Sequence, residues 1–244
     1  MTSSLQKPFS LEKILARIAA AAQRSGREAS DIQLVAISKY QPAQKVRAIM
    51  EEGLTLFGES RLQEAAPKIP LLPAKLHWHF IGHLQSNKIR KALPLFELFH
   101  SIDSLDLALA MDRIAGEMGR FPRVLLEVNV SGEASMHGFS PTALKASLDQ
   151  LLRLQRLQVE GFMTMAPLAE DPETTRPYFV QLRELRDEAA RDFGIPLSSL
   201  SMGMSHDFEI AIEEGATLVR IGSALFGERE KFHRDGSDGR DKDN

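Results

Sequence analysis

Short apolar runs recur along the chain, and the segments between them carry a different period. The runs are Ile32 to Ile37, Leu54 to Phe57, Leu76 to Ile81, Leu98 to Ile102, Val124 to Val130, Val159 to Met165, Leu200 to Met202 and Leu218 to Ile221. Their length and β-branched content predict eight strands. Segments such as Leu105 to Met118, Pro141 to Leu152 and Glu173 to Phe193 instead place apolar residues three and four apart, as a helix with one packed face requires. Another helix is opened by Pro42 and closed by Gly53. Strand–helix alternation predicts βαβ units and a parallel sheet, and eight units in about 200 residues predict a closed (β/α)8 TIM barrel. The competing open, doubly wound sheet usually shows G-x-G-x-x-G after its first strand, and nothing of that kind follows Ile37.

Ahead of the barrel, Leu11, Ile14, Leu15, Ile18 and Ala19 fall at helical spacing with Ser10 as N-cap, which predicts an extra N-terminal helix. Glu12, Lys13 and Arg17 interrupt its apolar residues, so it does not read as a signal peptide. No apolar run approaches the roughly 20 residues of a membrane span. The expected organisation is one domain over residues 1–228 and a polar, disordered tail over 229–244. Within the segment Glu173 to Phe193, Leu182, Leu185 and Ala189 read as core, and Arg183 with Asp187 as a solvated i,i+4 pair.

Composition narrows the possible chemistry. The 30 basic and 33 acidic residues leave a formal charge of -3, which gives no footprint for nucleic acid or an anionic membrane surface. Cysteine is absent, so disulfides, thiolate nucleophiles and iron–sulfur clusters are excluded. That absence fits a reducing, cytoplasmic setting.

Barrel active sites lie at the C-terminal ends of the strands, so the residues just after each run matter most. Gly203-Met204-Ser205 follows the seventh run and Gly222-Ser223 the eighth, at the corner where such barrels frequently bind phosphate through backbone N–H groups. Ser205 is expected to cap a helix from Asp207 to Glu214. The plainer reading makes these ordinary turn glycines and an ordinary cap. Lys39, after the first run, reads either as an amine nucleophile with a lowered pKa or as a lysine whose stem covers the rim. A reactive lysine and a phosphate site on one mouth suggest pyridoxal 5′-phosphate (PLP), which carries both an aldehyde and a phosphate. Arg220 could then face the pyridine nitrogen, which would stay unprotonated and make a weak electron sink.

Two other patterns are weaker. His77, His79 and His83 form H-x-H-x3-H, with His77 and His79 on one strand face, but no carboxylate cluster accompanies them and no metal site is expected. Ser205, His206 and Asp207 are consecutive and cannot converge as a hydrolase triad.

The sequence resembles the pyridoxal phosphate homeostasis protein family, which is related to the alanine racemase N-terminal barrel. The resemblance rests on LVAISKYQP around Lys39, FGESRLQEA from Phe57, HWHFIGHLQSNK to Lys88, VNVSGEASMHGF from Val128, GFMTMAP from Gly161 and LSMGMSHDFEIAIEEGATLVRIGSALFG to Gly227. It implies an alanine-racemase-like barrel holding PLP as a Schiff base on Lys39. By the same resemblance Met204, Ser205, Gly222 and Ser223 bind the phosphate, and Arg220 meets the pyridine nitrogen. Asn87 lies near the cofactor, and Met163 lines its face. The implied role is vitamin B6 homeostasis and amino/keto-acid balance without strong catalysis, in a cytoplasmic monomer that serves PLP-dependent apoenzymes as recipients. The alternative is a PLP-dependent amino-acid racemase, which needs acid/base groups on both cofactor faces. The only tyrosines, Tyr40 and Tyr178, lie beside Lys39 and within a helix.

Three positions depart from the family pattern. Ser60 replaces the Asn of F-G-E-N, Met136 stands where many members have Lys, and His206 replaces an acid at a helix start. The last change would remove a dipole interaction of roughly 0.3–1 kcal/mol.

Overall fold

The computed structural model describes residues 10–227. The tail expected over 229–244 lies outside the described residues. Eight parallel strands close into a barrel in sequence order, β1 pairing with both β2 and β8. The strands are β1 (Gln33–Ile37), β2 (Leu56–Glu59), β3 (His77–Phe80), β4 (Leu98–Ile102), β5 (Arg123–Glu127), β6 (Gln158–Met163), β7 (Ser199–Met204) and β8 (Leu218–Ile221). The helices are α1 (Leu11–Arg24), α2 (Ala43–Glu51), α3 (Leu62–Lys68), α4 (Ile89–Ala92), α5 (Leu105–Glu117), α6 (Pro141–Leu152), α7 (Arg176–Phe193), α8 (Phe208–Glu213) and α9 (Ser223–Phe226). The (β/α)8 expectation holds. None of the described helices is long and apolar enough to cross a membrane.

Alternation along each strand divides the core in two. Val35, Ile37, Leu98, Leu125, Met163 and Leu218 fill the barrel interior. A larger layer, including Phe57, Phe80, Phe99, Phe162 and Phe208, lies between barrel and helices. One close approach demands glycine. A Cβ on Gly161 would lie 1.8 Å from the Ser199 carbonyl oxygen on the paired strand.

The structure corrects several sequence expectations. The buried stripe of α1 is Leu11, Ile14, Ile18, Ala21 and Ala22; Leu15 and Ala19 face outward. Ser10 does cap α1, accepting the Lys13 N–H. Strand β2 runs to Glu59, because Phe57, Gly58 and Glu59 pair with Trp78, His79 and Phe80. Strand β7 likewise extends to Met204. Strand ends follow the neighbour's ladder, which an apolar count does not register. Arg183 reaches across to Glu214 instead of Asp187, which pairs with Arg186. Leu182, Leu185 and Ala189 are buried as expected.

Candidate functional site

The C-terminal ends of the strands enclose a cavity of about 480 Å³. Lys39, Met163, Met204, Ser205, Arg220, Gly222 and Ser223 all line it. Asn87 does not; it lies exposed on the 3-10 turn Ser86–Lys88.

Lys39 stands two residues beyond β1, at the start of a tight turn. The next residue, Tyr40, has φ 63°, a left-handed conformation costly for a side chain with a Cβ. Its backbone N–H donates to Glu64 Oε2 at 3.0 Å, and the Arg61 guanidinium lies 5.0 Å from its ring centroid. The turn is braced from below as well. Ser38 Oγ donates to Glu59 Oε1 at 2.6 Å, while Lys68 Nζ donates to the same oxygen at 2.7 Å and to the Ser38 carbonyl at 2.9 Å. Burial raises the Glu59 carboxyl, Lys68 and Ser38 pull it back, and Oε2 is buried without a hydrogen bond.

At the opposite corner Ser205 does not cap α8. Its Oγ accepts the backbone N–H groups of Gly222 and Ala224, both at 3.3 Å, and so joins the loops after β7 and β8. Asp207 takes the position before α8 and accepts the Met204 N–H at 2.7 Å. An acid therefore still stands at this helix start beside the departure at His206. Gly203 has φ +88°, and a Cβ there would meet Ala211 Cβ at 2.5 Å, so α8 packs directly on the strand end.

Arg220 forms the cavity floor and is only 4% exposed. Its Nη1 donates to Ser201 Oγ at 2.5 Å and its Nη2 to the Thr164 carbonyl at 2.8 Å. Burial lowers its pKa to about 10, against the charges of Asp207 and Glu127, so it stays a cation at neutral pH. Glu127 also lines the cavity; burial and then the Asp103 charge push its carboxyl up to about 7, against the pull of Arg220.

The histidine pattern does not assemble as a ligand set. His77 Nδ1 meets Glu97 and His79 Nδ1 meets His100 Nε2, so each has a different partner. His83 instead joins Asp103 and His137, with one potential ligand atom from each within 4.8 Å of the others. The His83 and His137 rings stack at 4.3 Å with 19° between planes, and His83 Nδ1 is bonded to Asp103 Oδ2 at 2.9 Å. Ring lone pairs lie in the ring planes, so near-parallel stacking keeps these nitrogens from converging on one ion.

Sequence reasoning weighed His83 only within the histidine pattern and did not assign it, Glu127 or His137 to the cavity wall, nor Glu59, Lys68, His100 and Ser201 to the layer behind it. Glu59 was visible as a carboxylate in F-G-E, but its partner Lys68 comes from α3 and no local pattern marks it. Of the three departures, Ser60 and His206 line the cavity and Met136 does not. Neither Tyr40 nor Tyr178 lines it.

A family model for the alanine racemase N-terminal domain matches residues 10–230. The pyridoxal phosphate homeostasis protein of Aquifex aeolicus is 45% identical over 221 residues, covering 90% of this chain and 97% of that protein. The human protein of the same name is 36% identical over 245 residues, covering 94% and 89%. Among solved structures, PipY of Synechococcus elongatus, described with PLP bound, has a TM-score of 0.77 and 43% identity, covering 88% of this chain and 100% of that one. An alanine racemase of Clostridium difficile has a TM-score of 0.68 at 16% identity, covering 91% and 58%, a likeness of fold alone.

Proposed function

Because this chain belongs to the pyridoxal phosphate homeostasis protein family, we propose that its barrel mouth holds PLP, attached through a Schiff base to Lys39, and serves intracellular vitamin B6 and amino/keto-acid balance. One observation carries the reading. The Lys39 amine, the Arg220 cation and the Ser205–Gly222–Ser223 corner line a single cavity of about 480 Å³.

The residues fit the group. At one corner the Ser205 and Ser223 hydroxyls suit a phosphate, and the Gly222 and Ala224 N–H groups, which here donate to Ser205 Oγ, would turn to it. Ile37, Met163 and Met165 supply apolar walls for a flat ring. Arg220, donating from the floor and unable to accept, suits an unprotonated ring nitrogen. PLP supplies an aldehyde that an amine can capture with loss of water and an electron sink for a bound amine. Lys39 would anchor it, and the brace of Ser38, Glu59 and Lys68 would hold that anchor's turn. Asn87, which the resemblance implies near the cofactor, stands on an exposed turn and would take only an outer position.

The racemase alternative draws no support from the tyrosines, since neither lines the cavity. We propose a carrier role in a cytoplasmic monomer, with PLP-dependent apoenzymes as recipients. The absence of cysteine supports the reducing setting.

The test is the visible spectrum of the protein supplied with PLP, before and after borohydride, with mass mapping of the peptides. A yellow band bleached by borohydride, with the pyridoxyl mass on the Lys39 peptide, is expected. A colourless protein, or label on another lysine, would remove the reading.

A further inference from the structure

The barrel interior carries a polar chain that neither the sequence motifs nor the proposed cofactor contacts account for. Arg220 Nη1 lies 2.5 Å from Ser201 Oγ, Ser201 Oγ 2.8 Å from His100 Nδ1, and His100 Nε2 3.0 Å from His79 Nδ1. Ser201 and His100 are fully buried, and His79 is 4% exposed. The chain crosses the barrel from β8 through β7 and β4 to β3.

We infer that this is a one-way hydrogen-bond chain, Arg220 to Ser201 to His100 to His79, which makes Ser201, His100 and His79 positioning residues for the cation on the cavity floor. The direction follows from donor capacity. A guanidinium donates and cannot accept, so Ser201 Oγ is the acceptor in the first bond. The Ser201 hydroxyl must then place its own hydrogen, and its remaining partner is His100 Nδ1. His100 Nδ1 is thereby an acceptor without a proton, and its proton sits on Nε2. That proton faces His79 Nδ1, which accepts and leaves His79 also protonated at Nε2. Both rings are neutral and both tautomers are fixed from one end.

Neutrality is also what the surroundings favour. Burial drives His100 well below its ordinary pKa, with the Arg220 cation adding repulsion, and holds His79 at about 3. Protonating His100 would turn Nδ1 into a donor toward Ser201, which already receives Arg220, and strand the hydroxyl's hydrogen in a buried site. The partners that orient Arg220 are thus the neutral Ser201 hydroxyl and the Thr164 carbonyl, so its charge is not cancelled by a bonded carboxylate. One N–H of each terminal nitrogen is used, and two such bonds fix the plane of the guanidinium.

The tautomer assignment is independent of the cofactor; its effect on a bound cofactor rests on the reading above. In the first experiment, long-range 1H–15N spectra are recorded on histidine-labelled protein without PLP from pH 5 to 8. His79 and His100 are expected to hold the neutral Nε2–H pattern throughout. An Nδ1–H pattern or a cation at His100 would overturn the chain, whatever happens with PLP. In the second, Ser201→Ala, Ser201→Thr and His100→Gln are loaded with PLP. Ser201→Ala and His100→Gln are expected to bind about tenfold more weakly and to move the pH midpoint of the bound chromophore. Ser201→Thr, which keeps the hydroxyl, is expected to restore that midpoint. If Ser201→Ala and Ser201→Thr share one midpoint, or if neither Ser201→Ala nor His100→Gln moves it, the positioning role is lost even where the tautomers stand.

Discussion

Ser205 and Gly222 stand on consecutive loops of the barrel mouth, and Ser205 Oγ accepts the Gly222 N–H at 3.3 Å. Ala224 makes the same contact at the same distance. One hydroxyl from the loop after β7 thus holds two donors of the loop after β8 in register at the corner where a phosphate would sit. Ser205→Ala should weaken PLP binding about tenfold to a hundredfold, the worth of one hydrogen bond to a charged group of about 1.5–3 kcal/mol. Equilibrium dialysis of PLP against both proteins checks this; an unchanged dissociation constant would place the phosphate elsewhere.

The buried pair behind Lys39 predicts an asymmetry. Lys68 is the only cation bonded to Glu59 among the described residues, and Glu59 Oε2 already lacks a partner. Lys68→Met leaves an uncompensated buried carboxylate and should cost about 3–5 kcal/mol in urea unfolding. The double change Lys68→Met with Glu59→Gln should recover a large part of that loss. Equal stability of the single and double variants would show that the pair does not act as a unit.

Glu127 predicts a pH dependence whose sign is fixed by its raised pKa. In the folded protein its carboxyl titrates at about 7, against an ordinary value of 4.5. The folded state therefore holds this proton where the unfolded chain has released it, and stability attributable to Glu127 is full below 4.5 and falls as pH rises to 7. Glu127→Gln removes the fall. Relative to the parent, the variant should gain up to about 3 kcal/mol at pH 8 and nothing at pH 4.5, as an upper bound from the 1.36 kcal/mol per pKa unit. Urea midpoints without PLP at the two pH values measure it, and a constant difference between the proteins would contradict it.

The β6–β7 pairing predicts intolerance at a single hydrogen atom. Gly161→Ala would put a methyl 1.8 Å from the Ser199 carbonyl oxygen, and that oxygen belongs to the paired strand's backbone. The ladder has to open for the methyl to fit, so a loss of about 1–3 kcal/mol or more is expected. Gly119→Ala is a control with no neighbour within 4 Å, although its φ of +64° carries its own smaller cost. Thermal unfolding of the two variants should rank them in that order.

The local pattern of the chain determined the barrel. Eight apolar runs at strand length, with helical periods between them, admit few other closed arrangements, and all eight strands formed close to those runs. The same pattern located Lys39, Ser205, Arg220 and Gly222 at strand ends, and barrel geometry gathers strand ends on one face. What the tertiary structure decided is which polar groups meet. Ser205 bonds across to Gly222 instead of capping its own helix, Glu59 finds Lys68 on α3, and His79 finds His100 and not His77. Each of these contacts joins different strands or layers, through side chains whose reach depends on strand register and tilt. Periodicity along one segment fixes which face a residue occupies; only closure of the barrel fixes what stands opposite it.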